Sequence, residues 1–465
     1  MKLPDTIEEC HVLIGQLLEV ISGLQQRITS LEDQLNQNSR NSHRPPSSDG
    51  YRKAALARPK GEAKPGGKKG HEGDTLKKLA EPDKVEALLP QRCEHCRKAL
   101  NPSSAQLLDS RQVFDIPPIQ VECTEYRRLG CECAHCGAYN VGSYPVGVEG
   151  PVQYGARIRS FVVMLHQQCC LPVNKIQQLF GDLFDMSINE GAIYSYQQKA
   201  YHLLEGEQAY IQGRLQNSKV VHADESGMRV AQRLHWLHTL GNERFTLQFV
   251  HPRRGYQAHE HSESFLPKFR NWLVHDFWSP YFQFTKCRHA MCGAHILREL
   301  NALSEQGKKW AARFHQLLLG AYHDSNYGRG KIAKRKREQL LVKYRKILRV
   351  AHKEEPPAVY QYAKGRAKKS KGRNLLERLE KYSDQVLAFA WHNIVPFTNN
   401  LAERDIRPVK SKLKVAGCFR TIDGAQAYAR IHSFISTVRK HQANPFNELV
   451  RIFQGQLPLY RELYT

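Results

Sequence analysis

Two apolar runs that each end in an aspartate constrain the fold of this chain most strongly. KVVHAD leads into Asp224 and NWLVHD leads into Asp276. Short apolar runs rich in β-branched residues are typical of buried strands. LHWLHTLG and RFTLQFV follow the first run at strand length, and residues 257–270 have a helical pattern. We therefore expect three strands, a helix and a fourth strand.

This order resembles the beginning of a ribonuclease-H-like α/β domain. The resemblance implies catalytic carboxylates on the first and fourth strands, where Asp224 and Asp276 lie.

A third carboxylate, Glu403, lies in NNLAERDIRP, which has the pattern of a helix. Two strand-end aspartates and a helical glutamate are able to hold two Mg²⁺ or Mn²⁺ ions against one phosphodiester. Glu225 points to the opposite face of the strand from Asp224. Asp405 is turned about 200° from Glu403 on a helix, so neither neighbour fits the same site. The catalytic prediction is therefore Asp224, Asp276 and Glu403.

The charge of the chain indicates an acidic polymer as its partner. Lys and Arg number 69 against 45 Asp and Glu, which gives a net charge of +24. An excess of this size favours nucleic acid. Residues 293–385 have a helical and basic pattern, so we expect a helical insertion at about 300–390 within a catalytic domain at 216–450. Its basic runs are either solvated faces or DNA contacts. The predicted DNA-binding residues are Arg298, Arg404, Arg407, Lys410 and Lys412.

The cysteines predict a structural zinc site. No apolar stretch reaches the ~20 residues needed to cross a bilayer, and the N-terminus lacks a signal-peptide pattern. We therefore expect a cytoplasmic protein with reduced cysteines and no membrane contact. Cys93 and Cys96 form one CxxC pair, and Cys133 and Cys136 form a second. Such pairs are typical of tetrahedral Zn²⁺, here in a domain at 80–150. Cys131 is an alternative ligand in the second pair.

The segment CGAHILREL allows two interpretations. Cys287, His289, Cys292 and His295 have a spacing compatible with a second zinc cluster. Alternatively, His295 and Arg298 orient the active site or contact phosphate. The sequence does not decide between them.

The regions outside the catalytic domain suggest DNA recognition and self-association. Residues 1–36 carry a heptad pattern, typical of a coiled coil that pairs two copies, although a helix packed on its own domain has a similar stripe. Residues 37–79 have the composition of a flexible basic linker. Residues 151–215 have the pattern of helices compatible with a DNA-binding helix-turn-helix or with a plain helical connector. Residues 451–465 are predicted to be a C-terminal tail. The heptad positions are Ile7, Cys10, Ile14, Leu17, Ile21, Leu24, Ile28, Leu31 and Leu35.

Several motifs in order along the chain resemble the insertion-sequence 66 (IS66) family of transposases, which has an Asp-Asp-Glu triad. They are NSHRPPSSDG, GGKKGHEG, the CxxC pairs flanking FDIPPI, LPVNKIQQLFGDLF with SINEGAIY, HADESGMRV, LVHDFWSPYF, CGAHILREL and NNLAERDIRPVKSKLKVAGCFRT. The resemblance implies that the protein cuts an insertion element from DNA and joins it elsewhere, on the bacterial nucleoid and with accessory transposition proteins. The triad of the family maps onto Asp224, Asp276 and Glu403. Thr398 departs from the family, in which many members have an acid before the Asn pair.

These expectations describe a multidomain α+β protein. Its parts are a coiled coil, a zinc-binding module, a helix-turn-helix-like region and a ribonuclease-H-like domain with a helical insertion. Cleavage and joining are expected to proceed by in-line displacement, without a covalent bond between protein and DNA. A DNA-binding regulator without catalysis leaves the acids at the strand ends unexplained. A metal-dependent nuclease without strand transfer has the same active site and remains an alternative.

Overall fold

The computed structural model describes residues 6–35, 76–117, 119–260, 263–327, 332–357 and 369–464 of the 465-residue chain. The described chain divides into two compact units, one of residues 52–124 and one of the remainder. Helices and a mixed sheet are both present, which confirms the predicted α+β class. Most of the predicted linker at 37–79 lies outside the described residues.

The N-terminal segment forms one long helix, α1, at Ile7–Leu35. Its apolar side chains face solvent in the single chain: Ile14 is 52% exposed, Leu24 is 55% exposed and Leu31 is 52% exposed. An apolar stripe along a helix gains free energy only when a second surface covers it. The helix therefore has the form that the heptad pattern predicts, and its apolar stripe is exposed in the part of the chain that the structure describes.

The cysteine-containing region has little regular structure. In the unit of residues 52–124, a bridge between Arg92 and Ala99 closes the loop that holds the first CxxC pair. In the larger unit, strands β1 (Gly130–Glu132) and β2 (Tyr139–Val141) form a short antiparallel hairpin around the second pair.

Helices α2 to α5 occupy most of the region predicted as helical. Tyr154 and the apolar faces of the first three pack around their own small core of Val162, Ile176, Phe180 and Ile193. Asn189 begins α4 by accepting a hydrogen bond from the Ala192 N–H at 2.7 Å. Asparagine at this position satisfies one of the free N–H groups of a helix start. The helices are α2 (Ala156–Gln167), α3 (Val173–Phe184), α4 (Glu190–Leu203) and α5 (Glu205–Gln216).

The main sheet of the described chain has five strands in the order β5-β4-β3-β6-β7. The first three pair antiparallel, while β6 and β7 run parallel to β3. The strand β7 was not predicted. The helix predicted at 257–270 was wrong: outside residues 261–262, that segment has only 3₁₀ turns at Tyr256–Ala258 and Leu266–Lys268. The strands are β3 (Val220–Val230), β4 (Arg233–Gly241), β5 (Thr246–His251), β6 (Trp272–His275) and β7 (Arg288–Met291).

A helical insertion follows β7 and has a hydrophobic core of its own. Trp310, Phe314 and Leu318 recur every four residues on α7 and are fully buried. This spacing places them on one face of the helix. The insertion comprises α6 (Gly293–Glu305), α7 (Lys309–Tyr327), α8 (Lys334–Glu354), α9 (Lys371–Lys381), α10 (Ser383–Val386) and α11 (Ala388–Trp391).

The chain then returns to the sheet through α12 (Asn400–Ala416), α13 (Ile422–Lys440) and α14 (Pro445–Phe453). Helix α12 packs against β3 and β4, and α13 packs against β5. The segment predicted as a C-terminal tail at 451–465 begins within α14 and includes a residue that packs in the core. Tyr460 is 2% exposed because its ring packs in the core beside α13. Its hydroxyl donates a hydrogen bond to Glu207.

Candidate active site

The register of the sheet brings Asp224 and Asp276 side by side. Strands β3 and β6 pair in parallel, and the last pair in the ladder joins His222 to Val274. Continued by two residues, this register sets Asp224 opposite Asp276. Neighbouring strands lie about 4.8 Å apart. Both aspartates therefore project from adjacent positions at one edge of the parallel pair.

The backbone fixes the orientation of each aspartate. Asp224 Oδ1 accepts a hydrogen bond from the Glu225 N–H at 2.9 Å. Asp276 Oδ1 accepts one from the Trp278 N–H at 2.8 Å, in the turn that follows β6.

Glu403 lies in the first turn of α12, the helix that crosses this part of the sheet. Its Oε1 lies 3.7 Å from His295 Nδ1 and its Oε2 lies 3.7 Å from Arg298 Nη2. Both partners come from α6, the first helix of the insertion. The insertion therefore contributes side chains to the surroundings of the glutamate.

Asn399 connects the start of α12 to β3. Its side chain donates a hydrogen bond to the Ala223 carbonyl at 2.8 Å, and its Oδ1 accepts one from His222 Nδ1 at 2.9 Å. Its backbone N–H points to Cys292 Sγ at 3.1 Å, just before α6. Asn399 is 1% exposed. A buried polar group that is hydrogen-bonded to several elements holds those elements together.

The site concentrates negative charge in a partly buried position. Burial raises the pKa of Asp224 well above its ordinary value, and the carboxylates of Glu225, Asp276 and Glu403 raise it further. Like charges in a low-dielectric setting oppose ionisation of one another. A cation among these oxygens relieves both effects.

Comparison with family models shows where this site belongs. The model described as the transposase IS66 family matches residues 151–427, which is more than half of the chain and includes all three acids. The chain belongs to the IS66 transposase family. Residues 2–77 of the transposase match a second model, a family of unknown function. A search of curated proteins found no match.

Family membership gives the transposase a role on DNA and implies that it needs a divalent metal. Within the described residues, no helix combines the length and apolarity needed to cross a bilayer.

The predicted DNA-binding residues of the transposase fall into two groups. Arg404, Arg407 and Lys410 lie on the exposed face of α12. The prediction for Lys412 was wrong: its side chain is 6% exposed and donates a hydrogen bond to the His166 carbonyl at 2.9 Å. The α12 face that carries Lys412 packs towards α2, so the ammonium group does not reach solvent or phosphate.

The segment CGAHILREL does not form the four-residue zinc cluster in the described structure. Cys287 Sγ lies 3.8 Å from His289 Nε2, beside β7. Cys292 and His295 instead group with Glu403, with ligand atoms that all lie within 4.8 Å of one another. The alternative interpretation, in which His295 and Arg298 orient the active site, agrees with these positions.

Each CxxC pair adopts a tight turn. The Arg97 N–H donates to the Cys93 carbonyl at 2.9 Å, and the Gly137 N–H donates to the Cys133 carbonyl at 2.8 Å. Hydrogen bonds from backbone N–H groups at 95–96 lower the pKa of Cys93, and those at 135–136 lower the pKa of Cys133. Backbone donors aimed at the first sulfur of a pair favour its thiolate, the form that binds zinc. Whether all four cysteines share one ion stays a prediction.

The two acids that the sequence set aside have other partners. The Glu225 carboxylate pairs with Arg254 Nη2 at 2.8 Å and accepts a hydrogen bond from the Tyr281 hydroxyl. Asp405 is buried and pairs with Lys440. Sequence reasoning missed the role of Asn399, although Asn399 belongs to the NNLAERDIRP motif that carries Glu403. Its side-chain partners are 176 and 177 residues away in sequence, and no local pattern shows such contacts.

Proposed function

We propose that this transposase cleaves the ends of an insertion element and joins them to target DNA by two-metal-ion phosphodiester hydrolysis and strand transfer. The observation that carries the proposal is the parallel register of β3 and β6, which pairs His222 with Val274 and, continued by two residues, sets Asp224 opposite Asp276. Glu403 lies on α12. Its charge contributes to the raised pKa of Asp224, so its carboxylate lies near the same position. The proposal is that two Mg²⁺ or Mn²⁺ ions bind among these three carboxylates, which come from distant segments of the chain.

The strand order supports assignment of residues 216–450 to a ribonuclease-H-like domain. Three antiparallel strands are followed by two strands parallel to the first, in the order β5-β4-β3-β6-β7. Of the proposed catalytic aspartates, Asp224 lies on the central strand and Asp276 directly follows the parallel neighbour of that strand. Between β7 and α12, the helical insertion separates Asp276 from Glu403 in sequence.

The residues present fit divalent metal ions. Carboxylate oxygen is the ligand that Mg²⁺ and Mn²⁺ prefer. Glu403 Oε1 is buried and accepts no hydrogen bond from any residue that the structure describes. Asp224, Asp276 and Glu403 would hold the ions, which when bound polarise the phosphate and activate the attacking oxygen.

The chain's own residues bind and orient the reacting groups. The Arg298 guanidinium lies 3.7 Å from Glu403 Oε2 and holds that carboxylate on the side of α6. Arg404, Arg407 and Lys410 extend from α12 into solvent and are placed to contact DNA phosphates. Water attacks the phosphodiester at the element end, and the freed 3′ hydroxyl then attacks target DNA in the same geometry. In both steps an oxygen leaves phosphorus as another arrives, so no protein nucleophile is required.

Recognition of the element ends is assigned to the regions before the catalytic domain. Helices α2, α3 and α4 share a small core, as expected of a helix-turn-helix module. The CxxC turns favour thiolates, in support of structural Zn²⁺ bound by Cys93, Cys96, Cys133 and Cys136. The exposed apolar stripe of α1 supports a dimer through a coiled coil, which would hold two element ends together.

The test is a cleavage assay on element-end DNA with and without Mg²⁺. We expect the parent to cut only with the divalent ion and Asp224→Asn to lose cutting. Asp423→Asn is the matched control, because Asp423 is an exposed aspartate on α13 outside the site. Equal cutting by parent and Asp224→Asn would refute the catalytic assignment, and a chain that binds DNA without cutting is a regulator. Addition of target DNA separates the remaining alternatives, since a simple nuclease forms no joined product.

A further inference from the structure

The solvent face of α8 carries a row of cations that the proposed active site does not use. The helix contains nine Lys and Arg residues between Lys334 and Lys353 but only two acids, Glu338 and Glu354. Its inner face, with Leu340, Tyr344 and Leu348, is buried in the core of the insertion. The outer face is therefore held in a fixed orientation.

The cations of this outer face lie in line. Arg335, Lys346, Arg349 and Lys353 are all exposed, and the helical repeat places them on the side opposite Tyr344. The row spans about 27 Å at 1.5 Å per residue. At 3.4 Å per base pair this length matches roughly eight base pairs of duplex DNA. Lys343 and Arg345 are exposed beside the row.

Most acids around the row are already paired with other cations. Asp324 pairs with Lys336, Glu299 with Arg378, and Glu355 with Lys308. Glu377 pairs with Arg373, and Glu380 lies 3.3 Å from His352. Within the part of the chain that the structure describes, no carboxylate forms an ion pair with Arg335, Lys346, Arg349 or Lys353. Glu338 is also exposed on this side of α8. Four cations against this one carboxylate leave an excess of positive charge, which is complementary to a polyanion.

We propose that the outer face of α8, defined by Arg335, Lys346, Arg349 and Lys353, is a docking surface for the phosphate backbone of duplex DNA. Point charges on a helix that lies along a backbone contact phosphates and not base edges, so this binding is independent of sequence. The inference rests on the proposed function for the choice of DNA as the ligand. It adds a second DNA contact outside the three carboxylates and the helix-turn-helix region.

The experiment measures binding of the full chain to a fluorescent duplex of arbitrary sequence over a series of salt concentrations, without divalent ions. The test variant is Lys346→Ala with Arg349→Ala and Lys353→Ala. The matched control is Lys268→Ala with Arg270→Ala and Lys286→Ala. Its residues are also two lysines and one arginine, all exposed, and they precede β6 and β7 at the edge of the sheet away from Asp276.

We expect the α8 variant to bind DNA on the order of tenfold more weakly at low salt. The slope of log affinity against log salt concentration should be smaller in magnitude by roughly two to three. The control should keep the salt dependence of the parent. A second variant, Lys346→Arg with Arg349→Lys and Lys353→Arg, preserves the charges and should bind as the parent does. Equal losses in the α8 variant and the control would overturn the proposal, as would a loss of affinity with an unchanged salt dependence.

Because binding is measured without metal, the result is independent of cleavage. If DNA docks on α8 in a chain that does not cut, the docking surface stands and the proposed catalysis fails. If Asp224-dependent cutting is present and the α8 variant binds as the parent does, the proposed function stands and the docking surface fails.

Discussion

The two aspartates and the glutamate of the candidate active site are held in place by different kinds of contact. Asp224 lies on β3 and Asp276 directly follows β6, so the hydrogen-bonded ladder between these strands controls their spacing. Glu403 belongs to α12 and is positioned through side chains, chiefly Asn399 and the α6 residues His295 and Arg298. Sheet register is a property of the backbone, whereas the position of the helix depends on a few contacts between distant segments.

This difference predicts that the sheet pair and the helix respond differently to mutation. Changes in the ladder should either unfold the domain or leave the aspartates where they are, since register slips move every side chain to the other face. Changes around Asn399 should displace Glu403 while the sheet stays intact. The expected effects decrease from the proposed metal-binding carboxylates, through Asn399, to the two faces of α12.

Removal of a sheet carboxylate should have the largest effect. Asp276→Asn keeps the shape of the side chain but removes the charge that a metal ion requires. Loss of several kcal/mol of stabilisation at the reacting phosphate corresponds to a reduction of about 10³-fold in cleavage rate. Single-turnover cleavage of element-end DNA measures it, with the thermal unfolding midpoint as a check on folding. A variant that keeps a rate within about tenfold of the parent would contradict the role of Asp276.

Loss of the Asn399 side chain, which joins the start of α12 to β3, should have the second largest effect. Asn399→Ala leaves the Ala223 carbonyl and His222 without their buried partner, which costs about 2 kcal/mol in the free energy of unfolding. It should also raise the Mn²⁺ concentration needed for half-maximal cleavage, because Glu403 loses its position relative to Asp224.

The matched control for this change is Asn444→Ala. Asn444 also precedes a helix, but it caps α14 and accepts the Phe446 N–H at 2.9 Å. The control should lower stability by about 1 kcal/mol and leave the Mn²⁺ requirement unchanged. If both variants shift the Mn²⁺ requirement equally, Asn399 is only a structural residue.

The burial of Lys412 on the inner face of α12 should make the free energy of unfolding depend on pH. Burial lowers the pKa of Lys412 to about 8, below the ~10.4 of an unfolded chain. Between these values the unfolded state binds more protons, so Lys412 makes the parent more stable as pH rises through this window. The difference in unfolding free energy between the parent and Lys412→Met should therefore shift in favour of the parent from pH ~7 to pH ~10. Denaturant titrations at each pH measure the shift, and a constant difference would mean that Lys412 is solvated.

The exposed face of the same helix should show the smallest effect. Lys410→Ala should reduce the magnitude of the slope of log DNA affinity against log salt concentration by about 1, as expected for loss of one phosphate contact. Lys412→Ala should leave that dependence unchanged, since its ammonium group is buried. A reduction in both variants would mean that α12 turns its inner face towards DNA.

The sequence was sufficient for the features that depend on local patterns. The apolar runs before Asp224 and Asp276 predicted β3 and β6, because strand periodicity and burial are visible within a few residues. The narrow stripe of α1 predicted its helix for the same reason. The strand β7 has only four residues, RHAM, and carries too little pattern to recognise.

The features that depend on tertiary contacts were not visible in sequence. Residues 451–465 have the composition of a tail, but Tyr460 is buried by elements that come earlier in the chain. Lys412 is a cation on a basic helix, and only the packing against α2 shows that its face is buried. The partners of Asn399 required the fold to bring β3, α6 and α12 together.

A change of ligand at Asp276 tests the central claim most directly. In Asp276→Cys a thiolate replaces a carboxylate oxygen, and sulfur binds Mn²⁺ better than it binds the harder Mg²⁺. If Asp276 is a metal ligand beside Asp224, this variant should cleave element-end DNA in Mn²⁺ and fail to do so in Mg²⁺, while the parent cleaves in both. Cleavage by the variant in Mg²⁺ at the rate of the parent would contradict direct metal binding by Asp276 and the active site built on the β3–β6 register.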